Sequence, residues 1–342
     1  MGLFLLYVCA KGRKGMVLSV SRRSDIPNYY SDWFYNRIKE GYVYVRNPRN
    51  RHQISEICLS PDTIDCIVFW TKNPKPMMSR LDELSEFLYY FQFTLTGYGA
   101  DIEPNIPHKK EVMIPIFQEL SQKIGKNKVI WRYDPILFTD RYTPEYHIKA
   151  FGQIAAALEG YTDTCVISYV DFYQKNRQNF SDIGVYKPTP SMIKEVSVQI
   201  GEAARAHDMS IESCAEGYGL SQYGILKGCC IDKKRIEALS GFELHVGKDR
   251  NQRLECGCVE SIEIGVYDTC KSGCKYCYAV ENPAIIHSNC SKYDIHSPLL
   301  CSSLSKGDYI KERKVSSFKE RQLSFSAYLN TEINFQKAIN KI

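Results

Sequence analysis

Between residues 17 and 216, six short runs rich in β-branched and aromatic residues alternate with stretches whose apolar positions recur at helical spacing. VLSVSR (17–22) precedes SDWFYNRIKEG (31–41), and DCIVFWTK (65–72) precedes MMSRLDELSEF (77–87). YFQFTLTG (90–97) precedes EVMIPIFQELSQKIG (111–125), where Gly125 is placed to end the helix. KVIWRYDP (128–135) and TCVISYVD (164–171) precede further helical patterns at 143–160 and 191–208, and SIESCAE (210–216) is the sixth run. Strands that are apolar on both faces and separated by helices imply a parallel sheet covered by helices. Without a glycine-rich nucleotide fingerprint, the repeat favours an α/β fold of the TIM-like (β/α) barrel type, closed or partial, over an open doubly wound sheet. The stretch YVYVRNPRNRHQISEICLS (42–60) interrupts the repeat and reads as an inserted hairpin.

The ends of the runs are polar. Ser21, Arg22, Arg23 and Asp25 close the first, Thr71, Lys72 and Asn73 the second, and Thr94 and Thr96 the third. Arg132 and Asp134, Ser168 and Asp171, and Cys214 and Glu216 close the remaining three. In a parallel barrel all of these open onto one rim, where such folds build their sites. Ordinary solvated loop chemistry accounts for any one of them but poorly for six in a row. Guanidinium groups bind carboxylate or phosphate in a planar, two-pronged way. Arg22, Arg23, Asp25, Lys72, Arg132, Asp134 and Glu216 are the candidate catalytic residues.

Fourteen cysteines are many for 342 residues, and ten lie between Cys214 and Cys301. The opening MGLFLLYVCAKGRKG puts its apolar stretch before its basic residues, the reverse of an export signal, and because Met16 opens directly onto a strand-like run, residues 1–15 read as a disordered extension or as lying upstream of the true start. The cysteines are expected to work in a reducing cytoplasm, with no membrane partner, where metal binding or catalysis outweighs a disulfide framework. A formal charge of +5 leans only weakly towards anionic partners. Residues 16–280 are expected to form the barrel and its cysteine loop, and 281–342 an irregular, partly disordered tail.

CKSGCKYCYA (270–279) spaces three thiols by four and three positions, with no histidine close behind. A structural zinc wants four ligands, whereas a cubane cluster held by three thiolates keeps one iron open to a substrate or cofactor. Cys270, Cys274 and Cys277 match the CxxxCxxC signature of the radical S-adenosylmethionine enzymes, including the aromatic Tyr276 before the third cysteine. The resemblance implies a 4Fe-4S cluster on the three thiols and S-adenosylmethionine chelating the fourth iron. It also implies a 5'-deoxyadenosyl radical that abstracts hydrogen from substrate, and an electron donor such as flavodoxin or ferredoxin. Tyr276 and Ser21 are the cofactor-binding candidates, because SVSRRSDIP occupies the place of the glycine-rich segment that the family uses to grip the amino group.

The motif comes after the repeats, whereas that family carries it after the first barrel strand. A circular permutation accounts for this if the strand SIEIGVYD (261–268) lies beside 17–22. The longer arrangement is similar to the domain of unknown function 1848 family. The matching stretches are SVSRRSDIP, VFWTKNP, FTLTGYG, VIWRYDPI, CAE, KDRNQRLECGC and the cysteine motif, and no assigned activity comes with them.

Cys214, Cys230, Cys256 and Cys258 offer ligands for a second iron-sulfur cluster or a zinc, with Cys229 adjacent. The alternative is that Cys214 and one of Cys229 and Cys230 are small buried hydrophobes. A full strand over 261–268 would put Cys258 on the rim opposite Cys214, and a joint site requires residues 249–266 to cross the active rim as an irregular loop. Cys9, Cys58, Cys66 and Cys165 read as packing residues. Two function classes stand: a radical S-adenosylmethionine enzyme acting on a small-molecule or nucleic-acid substrate, or a non-catalytic iron-sulfur or zinc protein with an anion-binding rim.

Overall fold

The computed structural model describes residues 16–313. Its strands are β1 (Met16–Val20), β2 (Tyr42–Asn47), β3 (Asn50–Cys58), β4 (Ile64–Thr71), β5 (Tyr89–Thr94), β6 (Val129–Ile136), β7 (Thr164–Tyr169), β8 (Ser210–Cys214), β9 (Leu226–Gly228), β10 (Ile262–Glu263) and β11 (Tyr309–Glu312). Eight of them form one sheet in the order β10-β1-β4-β5-β6-β7-β8-β9, every pairing parallel. Hydrogen bonds therefore make a single row with β10 and β9 at its two ends. Closure of that row into a barrel is not shown, since no ladder joins β9 to β10 among the described residues.

Alternation along each strand sets the two faces. On β4, Ile67 and Phe69 enter the larger apolar layer under the helices, while Cys66 and Val68 enter a smaller one on the other face. On β6 the same split sends Val129 and Trp131 to the larger layer and Ile130 to the smaller. Aromatic stacking ties the larger layer together, with Phe69 on Phe91 and Trp131 on Phe151, each at 4.7 Å between centroids. The covering helices start where the sequence supplies caps: Thr143 and Thr189 accept from the backbone of Tyr146 and Met192, and each precedes a proline in the first turn.

The second face of the sheet is partly covered by the chain between β9 and β10. Tyr90 Oη and Gln92 Nε2 on β5 both donate to the carbonyl of Cys230, at 2.7 and 2.9 Å. Val259 N donates to Ile231 O at 3.1 Å, and Asp249 N to Cys258 O at 2.9 Å. Ile231, Ile236, Leu244 and Val259 then pack against Val17, Val68, Tyr90, Ile130 and Val166. Residues 229–260 thus form a partly exposed plug against that face of the sheet.

β10 pairs with β1 in the register Leu18↔Ile262 and Ser19↔Glu263, the adjacency the permutation requires. It is shorter than expected, because only Ile262–Glu263 is strand and the chain leaves at Gly265. There a Cβ would stand 1.7 Å from Ser21 Oγ, so only glycine lets the two segments approach. The expected hairpin is present as β2 and β3, antiparallel. The tail departs from its irregular reading: Pro283–Cys290 is a helix, and β11 adds parallel to β3. The reading of residues 1–15 lies outside the described residues, as does Cys9. Cys66 and Cys165 are buried, while Cys58 is disulfide-bonded and so not a simple packing thiol. Among the described residues no helix is long and apolar enough to cross a membrane.

Candidate active site

The C-terminal ends of the sheet open into a cavity of about 470 Å³. Its lining contains Ser21, Arg22, Arg23, Asp25, Lys72, Arg132, Asp134 and Tyr276, all expected from strand ends or from the motif. It also contains Cys270, Cys274 and Cys277, and Cys214, Cys230, Cys256 and Cys258.

The cysteine loop is fixed by its backbone. Tyr30 Oη donates to Thr269 O at 2.6 Å, Asn105 Nδ2 to Lys271 O at 2.7 Å, and Asn176 Nδ2 to Tyr276 O at 2.9 Å. Lys275 N donates to Ile102 O at 3.0 Å and Asn179 Nδ2 to Lys275 O at 3.1 Å. Loops after β1, β5 and β7 therefore hold the carbonyls of the motif, while its three sulfurs are left to the cavity. Gly273 turns the loop with φ +70°, a left-handed conformation that side chains other than glycine's rarely adopt.

All three sulfurs are free thiols. Burial pushes them up, Cys270 to about 12, and they act on one another electrostatically. Such thiols stay protonated until a cation takes the proton's place, as metal loading does. Lys72 supplies nearby positive charge that favours the thiolates of Cys274 and Cys277. Among the described residues no three Cys, His, Asp or Glu side chains already form a metal-sized cage. The expected convergence on a common centre is thus seen only as a shared cavity wall. The donor set nevertheless suits a cluster with an open iron: the motif itself brings three thiols to the cavity and no fourth ligand within its own loop.

The rim cations are mostly paired. Lys72 Nζ stands 2.7 Å from Glu103 Oε1, Arg22 Nε 3.7 Å from Glu263 Oε2, and Arg253 Nη1 2.5 Å from Asp171 Oδ2. Arg132 pairs with Asp134, whose other oxygen accepts from Ser168. Arg23 makes no ion pair among the described residues and lies over the Tyr267 ring at 4.8 Å. Two expected residues serve the scaffold. Asp25 accepts from the backbone of Asn28 at 3.2 Å and of Lys72 at 2.9 Å, tying the turn after β1 to the end of β4, and burial pushes its carboxyl up to about 6. Ser21 Oγ accepts from Arg23 N at 2.9 Å and Ser24 N at 3.1 Å, so it shapes its own turn.

Glu216 is not in the lining. Its Oε1 accepts from Tyr169 N at 2.7 Å, and burial pushes the carboxyl up to about 7. The missed residue is Glu103, whose side chain is wholly buried. Thr96 Oγ1 donates to it at 2.8 Å, and Lys72, Lys109 and Tyr276 Oη also reach it. Although burial pushes its carboxyl up, the two lysines hold it down at about 2. It sits in a loop with no strand pattern, so nothing local marked it. The full strand over 261–268 that would have kept Cys258 away from Cys214 is not formed. With β10 only two residues long, the plug carries Cys258 into the cavity that Cys214 lines.

Comparison with known proteins adds a family and little more. The model of the domain of unknown function 1848 matches residues 17–279. No curated protein matches the chain. One solved structure, described as a putative alpha-L-fucosidase from Bacteroides thetaiotaomicron, aligns at 11% identity over 66% of this chain and 82% of that one, with a TM-score of 0.24. A likeness that weak carries nothing for fold or chemistry.

Proposed function

Because the chain belongs to the domain of unknown function 1848 family, which carries no assigned chemistry, we propose a function from the site itself. The reading is a radical S-adenosylmethionine enzyme of circularly permuted (β/α) barrel type. The observation that carries it is the shared cavity of Cys270, Cys274 and Cys277 at the C-terminal ends of parallel strands, delivered by a strand paired to β1. In this reading the three thiolates hold a 4Fe-4S cluster, which with bound S-adenosylmethionine supplies a 5'-deoxyadenosyl radical for hydrogen abstraction.

The chain's own residues have definite parts. Glu103 holds Tyr276 and Lys72 together, so the loop and the cation beside Cys274 are positioned by one buried carboxylate. Arg23, over Tyr267 and outside any ion pair among the described residues, is the guanidinium available to an anionic group of substrate or cofactor. Trp70 and Tyr278 give the lining apolar surface for a ring. A cavity of about 470 Å³ suits a small molecule better than a duplex nucleic acid. An exogenous electron donor of the flavodoxin or ferredoxin type completes the proposal.

The test is anaerobic reconstitution with iron and sulfide, followed by S-adenosylmethionine and a strong reductant. Formation of 5'-deoxyadenosine by the wild type, lost in Cys274→Ala, is the expected result. A loaded protein that leaves S-adenosylmethionine intact would move the assignment to a non-catalytic iron-sulfur or zinc protein.

A further inference from the structure

The cavity lining carries a second set of thiols that the motif does not use. Cys214 ends β8, Cys230 follows β9 by two residues, and Cys256 and Cys258 lie in the plug. The sulfurs of Cys214 and Cys230 are 3.0 Å apart. Ile231 N, next to Cys230, reaches Cys258 Sγ at 3.4 Å, and Cys256 lies two positions before Cys258. Four thiols thus line one cavity, two of them with sulfurs in contact, and none is in a disulfide.

We propose that Cys214, Cys230, Cys256 and Cys258 form a second metal centre, a four-thiolate site for a soft metal, either zinc or an iron-sulfur cluster. Packing alone does not account for the group. Cys165, a thiol of the larger apolar layer, shows what packing looks like. Here a buried guanidinium is brought in: Arg132 Nη1 donates to Cys230 Sγ at 2.9 Å. The backbone N–H of Ile231 donates to Cys258 Sγ at 3.4 Å. Donors of this kind around sulfur stabilise metal thiolates and tune them.

The size also fits. Ligand sulfurs on a tetrahedral zinc at about 2.3 Å stand about 3.8 Å apart. The Cys214–Cys230 pair, at 3.0 Å, therefore has to open by less than about 1 Å, within the reach of side-chain rotation. The four thiols are not yet a cage, in keeping with the lack of a preformed group among the described residues. The site also explains the plug. A stretch of irregular chain between 249 and 260 lies along the cavity rim, and a metal bound to Cys256 and Cys258 would cross-link it to β8 and to the end of β9.

The experiment uses the full chain, reconstituted anaerobically, with iron, zinc and acid-labile sulfide counted per chain. The triple variant Cys270→Ala/Cys274→Ala/Cys277→Ala should keep one centre per chain. Iron with matching sulfide identifies a cluster there, and zinc without sulfide identifies a tetrathiolate zinc. X-ray absorption on that variant should show a metal with four cysteine sulfurs for zinc, and needs no second-site variant to fold. Cys256→Ser/Cys258→Ser should lose one centre and keep the motif's, while Cys229→Ser should lose neither. A metal-free triple variant with wild-type circular dichroism, or wild-type metal content in Cys256→Ser/Cys258→Ser, overturns the proposal. The two readings fail separately, because each set of variants leaves the other site's ligands in place.

Discussion

Ser19 Oγ donates to Glu263 Oε2 at 2.6 Å, across 244 residues of chain. The same oxygen accepts from Arg22 N at 2.9 Å, and Oε1 accepts from Gly265 N at 2.7 Å. One carboxylate thus locks the strand that delivers the cysteine loop to the strand that opens the sheet. Glu263→Ala leaves those donors without their partner in a largely buried place. We expect it to cost about 3 kcal/mol, read by urea unfolding, and to reduce iron incorporation. Wild-type stability in this variant would show that β10 is held by other contacts.

Glu103→Gln removes the charge that faces both Lys72 and Lys109. Two buried ammonium groups then share an uncharged partner, and a loss of about 2–4 kcal/mol is expected. Because Tyr276 Oη also donates to Glu103, the variant should weaken cluster retention more than Tyr276→Phe, which leaves the charge pairs intact. Iron content after gel filtration distinguishes the two.

Gly273→Ala places a side chain at φ +70°, and its Cβ would stand 3.0 Å from Pro104 Cγ. The backbone strain alone is worth about 1–2 kcal/mol. The expected outcome is a folded protein with reduced iron loading, because the strain falls between Cys270 and Cys274. Full iron loading at wild-type thermal stability would show that the turn is less constrained than its conformation implies.

Acid sensitivity should come in part from His147. It is buried, accepts from Tyr133 Oη at Nδ1 (2.9 Å) and donates from Nε2 to Leu137 O (2.8 Å), and burial pushes its pKa down from 6.5 to about 4. A histidine whose folded pKa is depressed contributes stability that is present above the unfolded value and lost as pH falls towards the folded one. The window is therefore pH 6.5 to about 4, and the loss approaches about 3 kcal/mol. His147→Gln, which keeps a donor and an acceptor without titrating, should flatten the stability profile across that window. An unchanged slope would assign the acid sensitivity to other groups.

The amino-acid sequence by itself determined the strand and helix alternation, the hairpin at 42–60, the polar strand ends and the cysteine motif. Each of these is written locally: alternate residues of β4 and β6 encode the two faces of the sheet, and the thiol spacing lies within eight residues. The position of β10 beside β1 was also legible, because a motif strand at the end of a parallel repeat has the first strand's free edge to join. Only the tertiary structure decided which strand-end side chains face the cavity and which are spent on the scaffold. Glu216 and Asp25 have the composition of site residues, but their oxygens are taken by backbone N–H groups of Tyr169, Lys72 and Asn28. Glu103 became visible through its contacts with Lys72 and with Tyr276, 173 positions away. The plug between β9 and β10 has little periodicity to read. Its place against the second face comes from long-range hydrogen bonds, such as Tyr90 and Gln92 to the Cys230 carbonyl, that exist only once the sheet has formed.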